Sequence, residues 1–242
     1  MAYKLYYWPE IQGRGEFVRL ALEEAGADYR DVGREADGVS VMMDLMAGAR
    51  GTRPPFAPPF LKDGDLILAQ TANILLYLGP RLKLAPEGEA DRLWLHQLQL
   101  TIEDFVKEIH DTHHPIGPGL YYDEQKPEAR RRARNFLEER LPKFLGYFNG
   151  LLKEWPACGF LLGDSPTYVD LSLFQIVDGL RHAFPRAMQL AKKDMDALDL
   201  LHATVATRPR LQAYLKSDRR LPFNKAGIFR YYPELDHFSS RK

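Results

Sequence analysis

Two domains of different class are predicted: an α/β unit of βαβ–ββα order over residues 1–84 and an all-α unit over residues 90–242. Three observations carry this. Residues 3–32 read as strand, helix, strand. Residues 56–78 read as a proline-stiffened segment, a hairpin and a helix. Beyond a stretch marked by Pro and Gly at 84–89, the periodicity is helical only.

The first strand is the β-rich run from Tyr3 to Trp8, stopped by Pro9. A helix follows over residues 15–25, buried through Phe17, Val18, Leu20, Ala21, Leu22 and Ala25 and ended by Gly26. Residues 28–32 form the second strand. The stretch 33–55 has weak signals: a short helix over 39–45, then a stiff loop with Arg50 and Arg53. Ala57-Pro58-Pro59 is an extended entry, since each proline fixes its own φ and restrains the residue before it. Phe60-Leu61 and Leu66-Ile67-Leu68 flank a tight turn at Lys62-Asp63-Gly64-Asp65. Gln70-Thr71-Ala72-Asn73 then opens a helix with a wide apolar stripe. The first N–H groups of a helix lack partners and sit at the positive end of its dipole, so this is a seat for an anion. Thr71 serves equally as an N-cap.

In the second unit, residues 90–112 form a long helix, apolar over a broad arc through Leu93, Trp94, Leu98, Ile102, Phe105, Val106 and Ile109. Another spans 127–155, bent midway by Pro142. Thr167 with Asp170 forms a capping box ahead of a central apolar helix at 171–180. Helices at 195–206 and 210–215 complete the bundle. The tail over 221–236 carries Phe223, Phe229, Tyr231 and Tyr232, and is expected to fold back over the body.

Lys+Arg and Asp+Glu both number 33, so no overall field draws nucleic acid or an anionic membrane. No run approaches the roughly 18 apolar residues of a membrane span. Cys158 is the one cysteine, which rules out an internal disulfide and suits a reducing compartment. A cytoplasmic protein is expected, with neither membrane nor nucleic-acid partners. His110, His113 and His114 have the i, i+3, i+4 spacing of a metal pair, but no third ligand accompanies them and no metal is expected.

The run from Phe56 to Leu78, with its Pro-x-Phe-like segment, acidic-Gly hairpin and Gln-Thr helix start, resembles the glutathione-binding half of the cytosolic glutathione transferases. Leu141-Pro-Lys-Phe-Leu, the capping box and Arg208-Pro-Arg are similar to their helical domains. Thr101-Ile-Glu-Asp-Phe105 resembles the sigma, mu and pi groups. The resemblance implies a thioredoxin-like first domain, glutathione as co-substrate, a homodimer, and conjugation of the thiolate to hydrophobic electrophiles. Alternatives on the same fold are a glutathione-dependent isomerase or peroxidase, or a non-catalytic binding protein.

Such chemistry needs a group that favours the thiolate, because a free thiol has a pKa near 8.5. Family members use Tyr, Ser or Cys at the end of the first strand. Here no Ser precedes Ser40 and Cys158 is distant, leaving Tyr3, Tyr6 and Tyr7 and hence the tyrosine type. Tyr7 matches the catalytic tyrosine, with Tyr6, on the opposite face of the strand, as the alternative. The resemblance assigns Arg14, in Gly13-Arg14-Gly15-Glu16, to the mouth of the site. The loop is one residue longer than usual. Pro58 corresponds to the family's cis-proline, presenting the Ala57 backbone to the ligand, while Gln70 and Thr71 hold the γ-glutamyl end. Asp104 matches the acid that crosses the dimer to the glutathione amine. His113, His114 and Tyr121, with Tyr122, fall where the electrophile pocket is built, and a His there is a candidate general acid. The Trp and Lys that usually hold the glycyl carboxylate are absent. Arg50 and Arg53 are the candidate replacements.

Overall fold

The computed structural model describes residues 2–48, 53–154 and 159–236. Four short strands form one mixed sheet in the order β2-β1-β3-β4. These are β1 (Tyr3–Tyr6), β2 (Tyr29–Asp31), β3 (Phe60–Asp63) and β4 (Leu66–Ala69). β1 runs parallel to β2, with Lys4 opposite Arg30, and antiparallel to β3, with Leu5 opposite Leu61. The β3–β4 hairpin turns at Gly64, whose φ of 57° is the reason for a glycine there. The βαβ–ββα order and the thioredoxin-like sheet are as expected. β1 is shorter than expected and ends before Tyr7.

Alternation along β1 sorts its residues onto two faces. Leu5 packs with Val18 and Leu22 of α1 (Gly15–Ala25) and with Ile74 and Leu78 of α3 (Thr71–Arg81). Tyr6 packs on the other face with Val32, Phe60, and Met42 and Leu45 of α2 (Gly38–Met46). Its ring stacks on Phe60 at 4.6 Å. Thus the short helix expected near 39–45 exists, and it covers the far face of the sheet.

Past residues 82–88 the chain is helical. α4 (Glu89–Asp111), α5 (Lys126–Asn135), α6 (Leu141–Glu154), α7 (Tyr168–Ala183), α8 (Pro185–Ala191), α9 (Asp196–Ala206) and α10 (Pro209–Leu215) surround one large apolar core. The single helix expected over 127–155 is two, joined by a π-turn at Phe136–Arg140. Pro142 explains it: its ring nitrogen cannot donate to the carbonyl four residues back, and Leu141 N–H bonds instead to the carbonyl of Phe136, five residues back. The capping box before α7 forms as expected. Asp170 accepts from the Thr167 amide at 2.7 Å and the Leu161 amide at 2.9 Å.

The two halves are joined through α1. Phe17, Leu20 and Ala21 belong to the helical core rather than to the sheet alone. Glu16, fully buried, accepts hydrogen bonds from the Tyr214 hydroxyl at 2.7 Å and from Arg220. Arg208 and Arg210 close the C-terminal end of α1, Arg208 on the Glu24 carboxylate and Arg210 on the carbonyls of Glu24 and Ala25. The Arg208-Pro-Arg motif is therefore a clasp between domains. As expected, the tail folds back: Ile228, Phe229 and Leu235 are buried, and Asp236 caps the N-terminus of α8 through the Arg186 and Ala187 amides. Among the described residues no helix is long and apolar enough to cross a membrane.

Candidate functional site

The chain leaves the sheet at Tyr6 and loops over residues 7–14 to the start of α1. Tyr7 turns back under that helix start and is 5% exposed. Its Oη accepts a hydrogen bond from the Arg14 amide at 2.9 Å. Two glycines make this possible. A Cβ on Gly13 would collide with the Tyr7 hydroxyl, and one on Gly15 would stand 2.6 Å from the ring. Gly13 also has φ of 46°. The extra loop residue is thus absorbed in a turn that lays the helix N-terminus against Tyr7.

Burial pushes the Tyr7 phenol up from its ordinary pKa, while the Arg14 amide and the charges of Arg14 and Arg19 pull the other way. The phenol stays protonated at neutral pH. Because Oη already accepts from Arg14, its own hydrogen is left to donate. A phenol donor beside the positive end of a helix is an arrangement that favours a thiolate over a thiol. Tyr6, the alternative, is stacked in the core on the other face of the sheet.

The Arg14 side chain reaches across to α4, where its Nε lies 3.9 Å from a Glu103 oxygen. Glu103 accepts from Gln99 at 3.2 Å, and Gln99 accepts from Ser172 of α7 at 2.9 Å. Burial raises the Glu103 carboxyl, and Arg14 and Gln99 oppose that. On the other side of the loop, Gln175 donates to Gln12 at 2.8 Å, and Gln12 donates to the Leu221 carbonyl of the tail. Sequence reasoning missed Gln12, Gln99, Glu103 and Gln175. The i, i+4 spacing of Gln99 and Glu103 was the available signal.

The second cluster lies at the start of α3. Gln70 is its N-cap, exposed, with φ 70° and ψ 121°. A non-glycine residue in that region is strained, and such strain gathers at ligand sites. Thr71 is the first helical residue rather than the cap. Its side chain is buried and its hydroxyl has no hydrogen-bond partner among the described residues. The helix start therefore presents orphan N–H groups and an unused hydroxyl together.

The proline loop requires a correction. The cis peptide bond joins Pro58 to Pro59, so the cis-proline is Pro59 and not Pro58. The residue ahead of it is Pro58, which has a carbonyl but no N–H to offer; Ala57 lies one position further out and is exposed. With two consecutive prolines, sequence offered no means of choosing between the two bonds. Arg53 is exposed, and Arg50 lies outside the described residues, as does Cys158.

Asp104 is on the exposed face of α4. At the end of the same helix the histidines separate. His113 is 1% exposed: the tail covers it, and its Nε2 donates to the Ile228 carbonyl at 2.8 Å. Its Nδ1 lies 2.5 Å from that of His114. With Nε2–H engaged, His113 Nδ1 is the acceptor and His114 Nδ1–H the donor, which leaves His114 a lone pair on Nε2. Desolvation lowers His114 to about 4 and His113 further still. Both are neutral at pH 7, so neither is the general acid that the sequence suggested. His114, Tyr121 and Tyr122 line an open cavity of about 420 Å³ with Lys126, Lys225 and Arg230. Among the described residues no group of His, Cys, Asp or Glu is arranged to hold a metal.

Residues 110–218 match the family described as glutathione S-transferase, C-terminal domain. The chain is 25% identical to a glutathione S-transferase of Plasmodium falciparum, over 87% of this chain and 93% of that one. It is 28% identical to glutathione S-transferase P 1 of Xenopus laevis, over 90% and 93%. The pi-class glutathione S-transferase structure from Onchocerca volvulus superposes with TM-score 0.67 at 23% identity, covering 89% of this chain and 93% of that one. Prostaglandin synthase D of Nilaparvata lugens has the same fold, with TM-score 0.70 at 19% identity, covering 92% and 100%.

Proposed function

The chain belongs to the cytosolic glutathione transferase family, and from that membership we infer that it conjugates glutathione, its co-substrate, to hydrophobic electrophiles. The observation that carries the reading is the Tyr7 hydroxyl, which accepts from the Arg14 amide and keeps its proton for a sulfur. Tyr7 donates to the thiolate and lowers the thiol pKa. Arg14 adds positive charge at the same helix end. Gln70 and Thr71 hold the γ-glutamyl carboxylate at the start of α3. The carbonyl of Pro58 takes the place assigned to Ala57 on the peptide portion. Arg53 is the cation available within the described residues for the glycyl carboxylate.

The active form is a homodimer. Phe56 stands 92% exposed on a loop stiffened by prolines, and Leu93 and Leu100 are exposed seven residues apart on α4. Asp104 continues that stripe and reaches the glutathione amine bound to the partner. A role in clearing reactive compounds in the cytoplasm follows from the chemistry. The test is conjugation of glutathione to chlorodinitrobenzene. We expect turnover by the native protein and a loss of roughly ten- to a hundredfold in kcat for Tyr7→Phe. A binding protein of the same fold would retain glutathione and show no turnover.

A further inference from the structure

The cavity beside His114 is not uniformly apolar. The rings of Tyr122 and Tyr232 stack at 3.8 Å and 15° to make one flat wall, and Tyr121 stands exposed beside it. Around this wall are three cations and two carboxylates. The carboxylates are both engaged: Asp123 pairs with Lys126, and Glu234 accepts from the Tyr122 hydroxyl at 3.0 Å. Arg230 and Lys225 are not neutralised. Arg230 donates only to the carbonyls of Gly227 and Ala226, at 2.7 and 3.1 Å. Lys225 is exposed, 5.8 Å from the centre of the Tyr232 ring. Among the described residues neither has a carboxylate within ion-pair distance.

His110 stands between this wall and the Arg14 loop. The His110 ring stacks on that of His114 at 5.2 Å, and His110 feels the charge of Arg14. From these observations we propose that the electrophile is an aromatic compound bearing an anionic group, its ring against Tyr122 and Tyr232 and its anion held by Arg230 and Lys225. The inference rests on the transferase reading and narrows it, from hydrophobic electrophiles in general to aryl carboxylates and their like. A cavity of this size accepts a substituted benzene ring, and a charged donor pair on a carboxylate is among the stronger polar contacts.

The reaction is aromatic substitution. The glutathione sulfur adds to the carbon bearing chlorine, a C–S bond forms, the C–Cl bond breaks, and chloride leaves with the bonding pair. The thiol proton has already gone to solvent.

The test compares chlorodinitrobenzoate with chlorodinitrobenzene of the same nitro placement, each rate divided by that of free glutathione thiolate. The native enzyme should favour the benzoate in kcat/KM by about five- to tenfold. That preference should shrink with added salt. It should be lost in Arg230→Gln and in Lys225→Gln, the latter an exposed change that leaves the fold intact. Equal use of the two electrophiles, or a preference that survives both substitutions, overturns the proposal while leaving the transferase reading standing. Absence of turnover with either electrophile overturns both.

Discussion

At the scale of single residues, the sharpest case is Thr71, whose hydroxyl is buried and unused in the folded chain as described. A group of this kind costs stability unless a ligand meets it. Thr71→Val keeps the shape and the β-branch. Thermal unfolding should show it as stable as the native protein, or more stable by about 1 kcal/mol. KM for glutathione should rise about tenfold, since a hydrogen bond to a charged group is lost. A fall in stability with unchanged KM would make Thr71 a structural residue. Gly13 tests the other cluster. Gly13→Ala places a methyl group on the Tyr7 hydroxyl and strains a positive φ. Denaturation should show a loss of about 1–3 kcal/mol, and activity should fall because Tyr7 is displaced from the Arg14 amide.

Among elements, the end of α4 and the tail are coupled by His113 and His114. Burial holds both histidines neutral in the native state, whereas unfolded they titrate near 6.5. The native pKa is therefore depressed, and the unfolded chain binds more protons below pH 6.5. Stability is fully present above that pH and falls as pH drops towards about 4, by at most about 1.4 kcal/mol per pH unit for each histidine. Urea midpoints measured from pH 8 to 4 should show this decline, and His114→Gln should make it shallower, with His113 supplying the remainder. A flat profile in the native protein would contradict the burial described. Legibility also divides by element. Those with local signals were readable: α1 with its Gly26 stop, the Gly64 hairpin, and the Thr167–Asp170 box. What escaped depended on partners distant in sequence. The tail buries His113 from more than a hundred residues away, and the Pro58–Pro59 choice depends on the assembled loop. Elimination of Ser and Cys from the first strand left its tyrosines, and the motif singled out Tyr7 among them. The glycines that seat it, at 13 and 15, explain themselves only once the ring lies against them.

For the whole molecule, the domains are joined through α1, and the dimer proposed above would form along α4 and the proline loop. Phe56, Leu93 and Leu100 expose apolar area of the kind that an interface covers. Sedimentation should give a dimer for the native protein and a concentration-dependent monomer for Phe56→Ser. The proposed reach of Asp104 across the interface predicts that the monomer also binds glutathione more weakly. A Phe56→Ser protein that stays dimeric would remove that loop from the interface. Thiol activation rests on Tyr7, and the direct test is the ionisation of bound glutathione. Ultraviolet difference spectra against pH should show thiolate well below pH 8 in the native complex. In Tyr7→Phe the titration should return towards the value of the free thiol, about 8.5. A native complex that titrates as glutathione does in water, or a lowered pKa that survives Tyr7→Phe, would rule out Tyr7 as the activating donor.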